Sequence, residues 1–282
     1  MLLTSVGVVA GLIVAVALLP IVGGIGLAAR SLANSFDKLP ADLTAKPLPQ
    51  VSRIVAADGQ TIATFYSQDR LSVTLAEIPD SMQKAIIDIE DVRFYEHGGL
   101  DFKGTIRALL RNGATGTVTQ GGSTLTQQYV KNVLVENART EKEREAAVAD
   151  TLARKVREAK YAIELEHKLT KAQILDRYLN IVYFGDGAYG VGAAARHYFN
   201  EPVTALTLPQ SALLAGIVQS PVAYNPRFYP TLATERRNTV LSQMLKYNSI
   251  TQAVYDAAVA TPLNLDVHQQ PNDCVASKDP YF

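Results

Sequence analysis

The chain has 282 residues, enough for one sizeable core, and 48% of them are hydrophobic against 19% charged, which excludes a wholly disordered protein. Its 27 basic and 27 acidic residues cancel, so a generic nucleic-acid binder is excluded and attention passes to where charges cluster. The single cysteine, Cys274, excludes an intrachain disulfide and a cysteine-rich metal site.

From Met1 to Ala29 no charge occurs, a run longer than the ~20 apolar residues that cross a bilayer as a helix. Residues 1–30 therefore read as a transmembrane anchor. A cleaved signal peptide is the plainer alternative, but the run is too long for one and no basic segment precedes it. The nearest cations, Arg30 and Lys38, follow the helix; taken literally, the positive-inside rule would put the globular part in the cytoplasm. The expectation is instead that a basic tail precedes Met1 in the natural gene. Residues 31–50, with Pro40, Pro47 and Pro49, read as an extended linker that lifts the domain off the membrane. In residues 51–75, two β-prone runs flank Asp58-Gly59, a strong hairpin signal, so one small β-hairpin is expected.

Helical periodicity then dominates. Met82, Ala85, Ile86 and Ile89 share a face after a cap at Asp80 or Ser81, and this helix ends on Glu90 and Asp91. Phe102, Ile106, Leu109 and Leu110 mark a second helix, with Lys103, Arg107 and Arg111 as a basic stripe opposite. A Gly/Thr-rich loop leads to a third helix, with Leu125, Tyr129 and Val133 on one face and Ser123, Thr124 and Gln127 marking its start. The charged run 140–150 reads as a solvated helical face or insertion. A long helix over 151–168 follows, then a capping box from Thr170 to Gln173 opening another helix. Glycines at 185, 187, 190 and 192 interrupt the pattern; further helices fit 209–218, 232–246 and 252–260. With no alternating strands after the hairpin, the fold class is mainly α.

Two adjacent carboxylates, Glu90 and Asp91, lie where the helix dipole presents its negative end. Dipole and like-charged neighbour both raise a carboxylate's proton affinity, as a general base near neutral pH requires. For a bare Glu-Asp pair, a solvated helix end is the commoner case, so context decides. Thr124, Gln127, Gln128 and Lys131 share one polar face of the third helix, and Gly121-Gly122 before its N-terminus suit a phosphate. Arg139 lies just beyond that helix. Arg154, Lys155 and Glu158 cluster at the start of the long one, where Arg154 and Glu158 at i and i+4 read most plainly as a surface pair worth a few tenths of a kcal/mol, about 0.3.

Five motifs occur in order: Glu90-Asp91 to Gly98 with Phe94 and His97; Gly121-Gly122-Ser123-Thr124-Leu125-Thr126-Gln127-Gln128; Arg154-Lys155-Val156-Arg157-Glu158; Ile174-Leu175-Asp176-Arg177-Tyr178-Leu179-Asn180; and Arg236-Arg237-Asn238-Thr239-Val240-Leu241. With them the chain resembles the peptidoglycan glycosyltransferase family, the lysozyme-like polymerase domain of class A penicillin-binding proteins (glycosyltransferase family 51). The resemblance implies a lysozyme-like multi-helix domain over 76–262, and a tail, 263–282, that starts an interdomain linker toward a transpeptidase domain. It implies inverting polymerisation of lipid II and the lipid-linked glycan strand into β-1,4-linked glycan, with release of polyprenyl diphosphate. By the same resemblance Glu90 is the base, and Glu158 is a second essential carboxylate. Arg107, Lys131 and Arg139 contact the diphosphate, joined by Lys155. Asp91, Ser123, Thr124, Gln127, Gln128 and Arg154 complete the substrate-binding set, while His97, Phe94, Asn180 and Arg236 read as scaffold.

No protein metal site is expected and no cofactor is required, though the resemblance leaves room for a divalent cation, Mg or Mn, assisting the diphosphate. The expected partners are the bilayer and cell-wall synthesis proteins, with the catalytic domain on the extracytoplasmic face of the bacterial membrane. Rival readings are a lysozyme-like glycosidase, which has no diphosphate to hold, and an inactive membrane-tethered wall-binding scaffold, against which intact Glu90 and Glu158 argue.

Overall fold

A computed structural model describes Arg30 and residues 42–101, 103–104 and 122–272. The expected anchor, most of the second helix with Arg107, residue Gly121 and the end of the tail with Cys274 lie outside the described residues. Among the described residues no helix is long and apolar enough to cross a membrane.

The hairpin forms as its sequence dictates. Strands β1 (Ser52–Val55) and β2 (Thr61–Phe65) pair antiparallel around the Asp58-Gly59 turn, with Ser52 opposite Phe65 and an irregularity at Ile54/Val55. Gly59 supplies the positive φ of 86° that the turn needs. A second, unexpected pair follows: β3 (Asp69–Arg70) lies parallel to β4 (Ala188–Tyr189), joining segments far apart in sequence. Strands this short leave no alternation to read.

Helix α1 (Asp80–Glu90) starts one residue earlier than expected, with Pro79 at the cap position rather than Asp80 or Ser81. Several helices begin on the same reciprocal device, a threonine taking an N–H from the third residue while that residue's side chain reaches back, among them α2 (Leu125–Asn137) on Thr124/Gln127, α3 (Glu141–Val148) on Thr140/Glu143, and α5 (Lys171–Ile181) on Thr170/Gln173. Between the last two runs α4 (Leu152–Lys168), capped by Thr151. After the glycines that interrupt the pattern comes a helix not expected from sequence, α6 (Val191–Phe199). Gly190 is its cap at φ 79°, and a Cβ there would meet the Asn180 carbonyl at 2.7 Å, so glycine serves close approach here rather than loop freedom.

The remaining helices are α7 (Leu208–Ile217), α8 (Pro230–Lys246) and α9 (Gln252–Ala260). Every residue of α7 from Gln210 onward is buried, which makes it the core helix, packed between α1 and α8. Helix α2 packs on α4 and α5, and Met82, Ile86, Leu125, Val130, Ile174, Leu175 and Leu214 belong to one continuous apolar cluster. The fold is thus mainly helical with two minimal sheets.

Over 42–50 the proline-bearing segment before the hairpin forms neither helix nor strand and lies against the domain instead of standing clear of it. Lys46 Nζ donates to the Asn137 carbonyl (3.0 Å), Asn137 Nδ2 donates to the Thr44 carbonyl (2.8 Å), Asp42 pairs with Lys168, and Leu43 and Leu48 pack on the core. Residues 263–272 are docked likewise: the Asp266 and His268 N–H groups donate to the Tyr198 and His197 carbonyls at 3.0 and 2.8 Å.

Candidate active site

A cleft of about 510 Å³ opens between α2, the start of α4 and the 218–221 loop after α7, with Glu90, Ser123, Gln127, Gln128, Lys131, Arg154, Lys155 and Glu158 on its walls. Eight of the site residues expected from sequence are therefore brought together from three separate segments.

Glu90 is the last residue of α1, and its side chain is 14% exposed. One oxygen accepts from Gln128 Nε2 at 2.8 Å; the other stands 4.0 Å from Arg236 Nη2. Gln128 is itself held, since its Oε1 accepts the hydroxyl of the buried Tyr178 at 3.0 Å. Burial pushes the Glu90 pKa up, opposed by the Gln128 hydrogen bond and the Arg236 charge, with a smaller upward push from Asp91. Proton affinity is raised as expected, but mainly by loss of water rather than by the adjacent carboxylate.

Asp91 faces away from the cleft. Its Oδ1 lies 2.7 Å from His97 Nε2 and its Oδ2 accepts the Leu125 N–H at 3.0 Å, so it ties the turn after α1 to the N-terminus of α2. Thr124 strengthens that tie: buried at the cap of α2, it donates to the Gly99 carbonyl at 2.9 Å. It therefore lies outside the open polar face on which Gln127, Gln128 and Lys131 present themselves. Gly99 is required where it is, because a Cβ would come within 2.5 Å of the Ala162 backbone on α4.

His97 Nδ1 lies 2.5 Å from the Gly98 carbonyl, so both ring nitrogens face acceptors. Burial works against its charge, but the bonds to Asp91 and Gly98 together outweigh it and hold its pKa above the ordinary histidine range. Asp91, His97 and Asp101 converge closely enough for a metal ion, with Asp101 already paired with Arg93 and Asp91 accepting the Leu125 N–H.

At the other end of the cleft Glu158, with its side chain 2% exposed, pairs with Arg154, 7% exposed, and lies 3.6 Å from Lys155 Nζ. This corrects the expected surface pair to a buried one, flanked by a third charge. Arg154 also donates to the Ala149 carbonyl, and Lys155 Nζ lies 3.0 Å from Ser123 Oγ. Burial between the helices, with the Arg154 charge beside it, draws the Lys131 pKa below its ordinary value. Arg139 is not in this cleft. It lines a separate hollow with Leu134, Glu143, Ala147 and Arg157, where its own N–H donates to Glu143 at 2.6 Å.

Two residues beside Glu90 carried no functional signal in the sequence. Tyr178 and Arg236 sit on helices whose motifs looked architectural, and only packing puts them next to the carboxylate; their lack of apolar character on a buried face was the sole available sign. For a divalent cation the cleft is poorly furnished: of its lining side chains only Glu90 and Glu158 are carboxylates, and Glu158 is engaged by Arg154 and Lys155. The residues present do not fit a protein-held metal at the cationic end.

The profile described as "Transglycosylase" matches residues 58–245. Penicillin-binding protein 1A of Escherichia coli is 42% identical over 216 residues, 77% of this chain and 24% of that protein; its namesake from Aquifex aeolicus is 40% identical over 217 residues, 77% of this chain and 28% of that protein. The chain thus spans about a quarter of the length of the curated relatives it matches. A crystal structure of penicillin-binding protein 1A from Haemophilus influenzae aligns with a TM-score of 0.44 and 23% identity over 80% of this chain and 22% of that one. On the profile match over residues 58–245 and the 40–42% identity over 77% of the chain, the chain belongs to the Transglycosylase family.

Proposed function

We propose that the chain is a peptidoglycan glycosyltransferase of lysozyme-like fold, which polymerises lipid II into β-1,4-linked glycan with inversion and release of polyprenyl diphosphate. The observation that carries this reading is the division of one cleft into two ends. At one end stands a partly buried carboxylate, Glu90, and at the other Lys131, Arg154 and Lys155 gather around Glu158.

Glu90 accepts the proton of the acceptor sugar's 4-hydroxyl, which attacks C1 of the donor sugar as the C1–O bond to the diphosphate breaks. Negative charge grows on the leaving diphosphate, and Lys131 and Lys155 reward it selectively in the transition state because they are already in place. Arg154, committed to Glu158, helps hold those lysines and the start of α4 in register. Ser123, Gln127 and Gln128 orient the substrate or shape the loop that does; Asp91 and Thr124 act through the turn that carries Glu90; Arg139, which lines the separate hollow, and Arg107, outside the described residues, are assigned to the diphosphate on the family resemblance. A cationic grip favours this reading over a glycosidase, whose substrate has no diphosphate. No cofactor is invoked, and a divalent cation would have to be held by the diphosphate itself.

The family match and the uncharged first 29 residues support a single-pass anchor over 1–30 in the bacterial cytoplasmic membrane, with the catalytic domain, 76–262, on the extracytoplasmic face. Its partners are then lipid II, the lipid-linked strand, the bilayer and other wall-synthesis proteins, with no nucleic acid. Incubation with labelled lipid II in detergent tests the proposal: long glycan strands are expected from the wild type and none from Glu90→Gln. Cleavage of preformed strands without elongation would instead establish the glycosidase.

A further inference from the structure

Arg236 lies on α8 with its side chain 11% exposed, and neighbouring groups fix where its guanidinium stands. Nε donates to the Gly216 carbonyl at 3.3 Å, the guanidinium carbon is 5.8 Å from the centre of the Tyr224 ring, and Nη2 is 4.0 Å from Glu90 Oε1. Gly216 lies directly beneath it on α7: a Cβ there would meet the Arg236 Cγ at 3.0 Å, so a larger residue would push the arginine off its place. On the far side of the carboxylate Gln128 donates to Oε2, its amide oriented by Tyr178.

We propose that Arg236 is a positioning residue for the base: it holds Glu90 ionised and aimed into the cleft by charge across 4.0 Å, from the side opposite Gln128, without taking the oxygen that must receive the proton. The inference rests on the reading of Glu90 as general base. Removal from water favours the neutral acid, which cannot accept a proton. A close bidentate arginine would err the other way, binding the carboxylate so well that it became a poor base. The stand-off lies between these limits.

Among the described residues, the charged and titratable groups around Glu90 leave this task to Arg236. Asp91, next in the chain, opposes ionisation; Tyr178 on α5 is a neutral phenol whose pKa burial drives well up; Lys131, Arg154, Lys155 and Glu158 line the cleft beyond Gln127 and Gln128. The Arg236 charge acts to lower the Glu90 pKa, and Glu90 in return raises that of Arg236 against its burial.

The test uses the full 282-residue chain in detergent, labelled with 13C at glutamate side-chain carboxyls, the Glu90 resonance being identified by its loss in Glu90→Gln. In Arg236→Met the Glu90 titration midpoint should rise by about one pH unit, and Arg236→Lys should return much of that rise. The acid limb of kcat/KM for labelled lipid II should move by the same amount, while KM stays within about twofold because Arg236 acts through Glu90 and not on bound substrate. A midpoint unmoved in Arg236→Met, with unchanged circular dichroism, overturns the proposal. Should Arg236→Met not fold, Arg236→Lys carries the test, with a smaller rise expected and no rise overturning it. A shifted midpoint in a chain that polymerises no lipid II even as wild type would support the hold on Glu90 and sink the polymerase reading alone.

Discussion

Replacing Glu158 by alanine removes one member of a buried ion pair and leaves the other in place. Arg154, 7% exposed in its side chain, would keep only the Ala149 carbonyl and the solvent-exposed Asp150, 3.9 Å away. Breaking such a pair from one side costs about 3–5 kcal/mol, because the surviving charge has lost its partner but not its burial. The two remaining acceptors place the expectation at the lower end, about 3 kcal/mol. For a chain of this size that corresponds to a fall in Tm of about 6–12 °C.

The double variant Arg154→Met/Glu158→Leu removes both charges and should recover most of the lost stability. Urea unfolding of both variants followed by circular dichroism, alongside lipid II elongation, separates the two contributions. The double variant is expected to be folded and inactive, since the cleft has lost the pair that sets Lys131 and Lys155. A loss below about 1 kcal/mol in Glu158→Ala would refute the reasoning, because it would mean that the pair is hydrated like any surface pair.

The Glu90 prediction concerns stability as well as activity. Its folded pKa is raised, chiefly by burial, so folding is opposed by its ionisation once the pH exceeds the ordinary carboxylate range. Glu90→Gln should therefore be more stable than wild type at neutral pH, the advantage shrinking as the pH falls from above towards that range; pH-dependent urea midpoints check it, and an advantage that grew on acidification would reverse the sign. Lys131→Ala should lower lipid II turnover by about 10²-fold, as expected for loss of one preorganised donor, with thermal stability little changed. Thr124→Ala deletes a buried cap and the bond to the Gly99 carbonyl together, so it should cost about 2 kcal/mol, whereas Thr140→Ala on the exposed α3 should cost about 1 kcal/mol by the same urea measurement.

Much of the helical skeleton was legible because its signals are local. Thr124 with Gln127, Thr140 with Glu143 and Thr170 with Gln173 cap helices using atoms within one turn, and Asp58-Gly59 closes a hairpin with its own backbone. The cleft's residue set was legible for another reason: its motifs carry the chemistry in fixed residue types, and eight of the chosen side chains do line one space. What sequence determined, then, was the hairpin, the starts of α2 and α5, and eight of the cleft's side chains.

Tertiary structure decided how those groups behave. Whether Arg154 and Glu158 sit in water or out of it depends on what packs over α4, which no i, i+4 spacing can reveal, and the cost of removing one partner changes about tenfold with the answer. Asp91 and Glu90 are neighbours in the chain, but one turns to His97 and the other to Gln128, so the adjacent charge matters less to Glu90 than the water it has lost. Arg236 meets Glu90 across 146 positions of sequence only because α7, apolar on every side, is buried between the helices that carry them. Contacts of that range are set by packing a common core, and packing is the part of the physics that one-dimensional pattern does not contain.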